Sequence, residues 1–149
     1  MQVREILRVK GGALYTVTPQ QSLAFAISSM AEFDVGSLVV MDGGKMVGLL
    51  TFREILKAIN SQGMSVGSAT IGDVMVRDPV TAFPEMEAND LRRLMVDKRS
   101  RYLPVLDGGT LMGVVSFLDV AKAVLEEQGF ENKMLKSYIK NWPTDQLEA

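Results

Sequence analysis

The chain has no cysteine and no histidine among its 149 residues. Lack of cysteine excludes disulfides, thiolate catalysis and zinc–thiolate sites. Lack of histidine removes imidazole acid–base chemistry and histidine metal ligation. An excess of one charge is also missing. Sixteen Lys and Arg against 18 Asp and Glu leave a net charge of −2, so nothing calls for a nucleic acid, which favours a basic surface. No run approaches the roughly 18 apolar residues that cross a bilayer, and the longest candidate, around Leu38 to Met41, is strand-sized. The opening residues, Met1-Gln2-Val3-Arg4-Glu5, show neither a secretory apolar core nor an acid-poor transit peptide. No nucleophile–base pair and no metal-ligand cluster stands out. These absences point to a cytoplasmic binding protein rather than an enzyme, with no nucleic-acid or membrane partner.

What is present is written twice. Pro19 falls on Pro84 at a shift of 65, and the same shift superposes residues 15–59 on 80–124 without a gap. Thr16 meets Thr81, Met30 meets Met95, Leu38 meets Leu103, Gly48 meets Gly113 and Phe52 meets Phe117. Such a repeat implies two like units packed about a pseudo-twofold axis, with two equivalent clefts. With 47 % hydrophobic and 23 % charged residues, the pair reads as one soluble globular domain.

Each copy reads as helix, two strands, helix. Ser22 to Glu32 carries Leu23, Ala26, Ile27 and Met30 at helical spacing, as Ala88, Leu91, Leu94 and Met95 do in the second copy. Gly36 ends the first helical stretch, and Ser37 to Met41 is a short apolar run suited to a strand covered on both faces. Asp42-Gly43-Gly44 is a turn, since glycine takes positive φ at no steric cost, and Lys45 to Leu50 returns as its partner. Thr51 caps a helix that runs towards Asn60 on Phe52, Ile55, Leu56 and Ile59. The second copy repeats this with Leu103–Leu106, Asp107-Gly108-Gly109, Leu111–Val115, a Ser116 cap and a helix from Phe117 to Gln128.

Val3 to Leu7 echoes Ile71 to Met75 at a shift of 68, so the loops that follow differ by three residues. Asn60 to Ala69, rich in Gly and Ser, is the linker between copies. Met134, Leu135, Tyr138 and Ile139 form one short amphipathic helix closed by Pro143, with Trp142 packing the tail against the module. Ten methionines suit a forgiving core or interface, and Glu126 and Glu127 an exposed helix face.

The candidate chemistry follows the second strand of each copy. In Gly113-Val114-Val115-Ser116-Phe117-Leu118-Asp119 a hydroxyl stands at a helix start with a carboxylate three residues on. Free N–H groups and partial positive charge there suit a phosphate, and Asp119, one turn later, can accept the hydroxyls of a ribose. Equally, Ser116 is an N-cap and Asp119 a first-turn acid favourable to the helix dipole. Capping serines are common, and the spacing alone favours that plainer role.

The doubled pattern, with Val35-Gly36-Ser37-Leu38-Val39-Val40 in copy one, Arg101-Tyr102-Leu103-Pro104-Val105 in copy two and the Gly-x-x-Thr/Ser-x-x-Asp ending, resembles a tandem pair of CBS domains, a Bateman module, over about residues 1–128. Val74-Met75 ahead of Asp78-Pro79-Val80, and Ser137-Tyr138-Ile139, make it similar to small stand-alone CBS-pair proteins of bacteria, related to those of plant organelles. The resemblance implies an α+β fold of two β-α-β-β-α units with pseudo-twofold symmetry, their small sheets packed together. Repeat one would span about residues 1–62, repeat two about 70–128, and a C-terminal helix and tail 129–149. It implies no catalytic cofactor, and clefts that take AMP, ADP, ATP or NAD(H).

In that family each cleft draws its ribose and phosphate residues from one copy and much of its adenine wall from the other. On that pattern Asp119 would bind ribose and Ser116 the α-phosphate, with Val114 beside the base. Thr18, Val35 and Gly36 would complete the wall, and Arg101 and Tyr102 would contact phosphate or base. The second cleft, with Ser37, Leu49, Thr51, Arg53, Glu54 and Phe83, and with Arg99 and Arg101 at its entrance, departs from the pattern. Glu54 stands where aspartate is expected, moving the carboxylate by about one bond length, and Phe83 replaces the hydroxyl of Thr18. The expectation is two unequal sites, Ser116/Asp119 the better for adenosine and Thr51/Glu54 weaker or differently selective. Apart from the resemblance, Lys98 to Arg101 reads as a solvated basic run. The expected function is an adenine-nucleotide sensor signalling through the geometry of a homodimer, built on the amphipathic helices, or of an unknown regulated protein. The alternative is a dimerisation and interaction module without functional ligand sites.

Overall fold

The computed structural model describes residues 1–63 and 66–140. The elements run α1 (Val3–Lys10), β1 (Thr16–Val17), α2 (Leu23–Phe33), β2 (Ser37–Asp42), β3 (Lys45–Thr51), α3 (Phe52–Gln62), a 3₁₀ turn at Val66–Ser68, α4 (Ile71–Val74), β4 (Val76–Arg77), α5 (Ala88–Lys98), β5 (Tyr102–Asp107), β6 (Thr110–Ser116) and α6 (Phe117–Lys140). One sheet has the order β1-β2-β3-β4, with β1 parallel to β2, and the other is the β5–β6 hairpin. Ala82 makes a single parallel bridge to Val105, the register at which Val17 meets Val40 65 residues earlier. Both hairpins shift register at the same place, Val40/Met41 and Val105/Leu106, and such bulges bend and twist a ribbon. Leu38, Val39, Val40, Leu103 and Val105 are fully buried, as expected of strands covered on both faces.

The turn and cap assignments hold, with two differences. Ser22 accepts the Phe25 N–H at 3.1 Å and starts α2. That helix stops at Phe33, where Asp34 takes left-handed φ of 52°, so Gly36 is not its terminator. Arg99, with φ 53°, does the same for α5. Gly36 serves space instead: a β-carbon there would collide with the Tyr102 hydroxyl. Secondly, α6 runs unbroken through Gly129 to Lys140, so Met134 to Ile139 belongs to it rather than to a separate helix. Trp142 and Pro143 lie outside the described residues. Glu126 is exposed, but Glu127 accepts the Met1 ammonium at 3.0 Å.

The short helices ahead of each repeat are exchanged. Val3 and Ile6 of α1 complete the core of repeat two, with Leu91, Met95, Leu103 and Val115. Ile71 and Met75, at α4, complete the core of repeat one, with Leu23, Leu38 and Leu50. Backbone bonds repeat the exchange. Val3 N–H donates to Met86 O as Ile71 N–H does to Gln21 O, Arg4 to Pro84 as Gly72 to Pro19, and Ala88 to Met1 as Leu23 to Ala69. The end of the linker is thereby docked, with Ala69 buried and Ser22 bridged to Thr70. The extra residues between α1 and β1 go largely into helix. Helix α1 has 8 residues against 4 in α4, about one turn more.

Candidate ligand-binding clefts

Where β3 delivers the chain into α3, Thr51 caps the helix. Its Oγ accepts the Arg53 N–H at 3.2 Å, while Glu54 Oε1 accepts both the Thr51 N–H and the Thr51 hydroxyl at 2.8 Å. This reciprocal cap satisfies free donors of the first turn and holds Glu54 largely buried. Beside it opens a cavity of about 970 Å³. Repeat one supplies Leu49, Thr51, Arg53 and Glu54 to its wall, and repeat two supplies Asp78 to Val80 and Lys98 to Tyr102. Arg53, Lys98, Arg99 and Arg101 are exposed along it. Among the described residues none of the four forms an ion pair.

The symmetry-related helix start is built alike but is occupied by the chain itself. Ser116 Oγ accepts the Asp119 N–H at 3.1 Å, and Asp119 Oδ2 accepts the Ser116 N–H at 2.9 Å. Lys10, at the end of α1, donates to the same Oδ2 at 2.7 Å and to Val114 O at 2.8 Å. Burial pushes the Asp119 carboxyl up, but the Lys10 ammonium and the Ser116 N–H outweigh it and hold the group below the usual carboxylate range. A smaller cavity, about 390 Å³, opens where Lys10, Leu14 and Val114 meet, and neither Ser116 nor Asp119 lies on its wall.

The structure therefore redistributes the residues singled out from the sequence. Leu49, Thr51, Arg53, Glu54, Arg99 and Arg101 come together on one wall, and Tyr102 joins them although it pairs with Ser116 in the sheet. The start of β5 lies beside the start of α3, and the Tyr102 ring passes over Gly36 towards Phe52. Ser37 pairs with Thr51 in the sheet, and neither it nor Phe83 lines the cleft. Thr18 donates its N–H to Gln21 Oε1 and Val35 to Met30 O, and neither lines either cavity, nor does Gly36. The geometry also runs against the expected ranking, because the carboxylate assigned to the better site is already tied to Lys10. Lys10, Lys98 and the Asp78-Pro79-Val80 wall were missed. The signal for Lys10 was the three-residue excess after Val3–Leu7, which places a lysine one turn beyond the echo.

Two repeats that exchange their leading helices about a pair of bulged hairpins, with a cleft at the junction, define a tandem α+β module with internal twofold symmetry. The CBS domain family matches residues 3–61 and again 71–126, and the chain belongs to that family. It is similar to the mitochondrial CBS domain-containing protein CBSX3 of Arabidopsis thaliana, 32 % identical over 147 residues that cover 93 % of this chain and 71 % of that one. Among solved structures it is similar to a putative signal-transduction protein with CBS domains from Burkholderia ambifaria. That protein is 33 % identical with a TM-score of 0.80, covering 86 % of this chain and 96 % of that one. It is also similar to CBSX2 solved in complex with AMP, 26 % identical with a TM-score of 0.71, covering 85 % and 98 %. Among the described residues no acidic cluster is arranged to hold a metal, and no helix is long and apolar enough to cross a membrane.

Proposed function

We propose that the protein is a regulatory sensor that binds an adenine nucleotide, AMP, ADP, ATP or NAD(H), between its repeats and performs no chemistry on it. The observation that carries this is the Thr51 cleft, a cavity of about 970 Å³ walled by both repeats, at the upper end of the roughly 300–1,000 Å³ common for small-ligand sites. The AMP held by the similar CBSX2 favours an adenosine ligand. In this reading the start of α3, with Thr51, Arg53 and Glu54, receives ribose and phosphate, Arg99 and Arg101 hold phosphate, and Leu49 and Tyr102 flank the base. A ligand touching both repeats favours the arrangement in which both are within reach, and so transmits its presence to whatever reads that geometry. At the other cleft a ribose must displace Lys10 from Asp119, so that site answers to competition with an internal ion pair.

Thermal unfolding with AMP, ATP and NADH tests the reading. A ligand of the native state at 100 times its Kd adds about 2.7 kcal/mol by mass action, and a melting temperature that rises with none of the three would remove it. A second reading, an interaction module, draws on the exposed apolar residues of the helices. Leu56 on α3 and Leu118 and Leu125 on α6 are each about two-thirds exposed, at 68 %, 67 % and 66 %. In either reading the fitting occupant of these apolar faces is a second copy of the chain, paired through α3 and α6, with a regulated protein of unknown identity beyond it.

A further inference from the structure

We propose that the Thr51 cleft is selective for a ligand carrying a di- or triphosphate chain, and that Arg53, Lys98, Arg99 and Arg101 form the seat for that chain. The inference rests on the reading of this cleft as a nucleotide site and adds the number of phosphates it is built for. The repeat supplies its own control. At a shift of 65, Arg53 corresponds to Leu118, Lys98 to Phe33, Arg99 to Asp34 and Arg101 to Gly36. Four cations on this cleft thus correspond to no cation, and one acid, at the symmetry-related positions, none of which lines the smaller cavity. The helix ends that carry Asp34 and Arg99 share the same left-handed cap, so at that pair of positions the difference lies in side-chain charge.

The local charge balance points the same way. The acids on this wall are Glu54 and Asp78, and Glu54 is turned into its own helix cap by two bonds to Thr51. Lys98, Arg99 and Arg101 crowd three like charges into four residues without a carboxylate partner among the described residues. A monophosphate neutralises about two such charges, whereas a triphosphate matches all four and offers the paired oxygens that guanidinium groups bind in parallel. Arg99 adds a backbone argument. It holds a left-handed φ of 53° at a helix end, where glycine is preferred and a long side chain is disfavoured. Arginine there brings its charge to the cleft at a cost to the turn.

Calorimetric titration of the full chain with AMP, ADP, ATP and inorganic tripolyphosphate, at two salt concentrations, reads the proposal. Affinity should climb from AMP to ATP by about tenfold or more, the scale of one or two charge-assisted hydrogen bonds, and the climb should flatten at high salt. Arg99→Gly relieves the strained cap, so its melting temperature should hold or rise while ATP affinity falls. Arg101→Ala should act in the same sense, and each loss should be larger for ATP than for AMP. Equal affinity for AMP and ATP, or equal losses for both in the variants, would overturn the proposal and leave the nucleotide reading standing. Tripolyphosphate bound through these arginines with no adenosine ligand bound would do the reverse. Binding of neither would end both.

Discussion

Lys10 reaches Asp119 only because α1 is a turn longer than α4, and that contact gives the Ser116 helix start its pH dependence. Asp119 is depressed in the folded chain by Lys10 and Ser116 against the pull of burial. A depressed carboxyl contributes stability above its unfolded value, about 3.9, and loses it as pH falls through the folded one. Asp119→Asn keeps an acceptor for the Ser116 N–H and removes only the charge. It should therefore cost about 1 kcal/mol or less near pH 6, the range for a partly exposed pair. The gap between the two urea midpoints should close below about pH 4, and a gap unchanged down to about pH 2.5 would deny the ion pair its role. The paired glycines of β3 and β6 give a second comparison. A β-carbon on Gly48 would lie 2.6 Å from Met75 Sδ and 2.8 Å from the Val76 carbonyl, whereas on Gly113 it would meet Leu7 Cδ2 at 3.0 Å. A side chain can step aside and a paired strand cannot. Gly48→Ala should cost about 1–3 kcal/mol and Gly113→Ala less, and matching midpoints would contradict this. The match of Gly48 with Gly113 was legible in the sequence; what each glycine makes room for was not.

At the scale of elements, the hairpins and the starts of the helices that follow them were read nearly to the residue. Their signals, Asp-Gly-Gly turns, unbroken apolar runs and hydroxyl caps, act within a few residues. Helix ends were read less well. Asp34 tolerates the left-handed cap that Gly36 seemed to supply, and α6 carries Gly129 in its interior, a cost of about 1 kcal/mol that a long helix absorbs. The exchange of α1 and α4 was not readable at all, although the echo between them was. It carries its own prediction. Ile71 belongs by sequence to repeat two but is fully buried in the core of repeat one. Ile71→Ala should cost about 2–5 kcal/mol and should speed amide exchange in β2 and β3 ahead of β5 and β6. Faster exchange in β5 and β6 first would place the helix with the wrong core.

For the molecule as a whole, the twofold scaffold carries two chemically different clefts, one open and lined with cations, the other held by Lys10. The apolar residues left outside both cores, Leu118 and Leu125 among them, make a dimer through α6 the expected assembly. Replacing both by glutamate should turn the dimer into a monomer in sedimentation, since burying two unpaired charges is prohibitive. A monomeric parent, or a dimer that survives both changes, would refute that arrangement. By itself the sequence determined the repeated unit, its hairpins, turns and caps, and the family, because each rests on patterns that act over a few residues and recur intact. Only the tertiary structure decided which leading helix serves which core, and that Tyr102, the sheet partner of Ser116, lines the cavity beside Thr51. It also decided that Asp119 is met by a lysine 109 residues away. Such pairings depend on how the two units close on each other, and no local pattern records which distant side chain arrives.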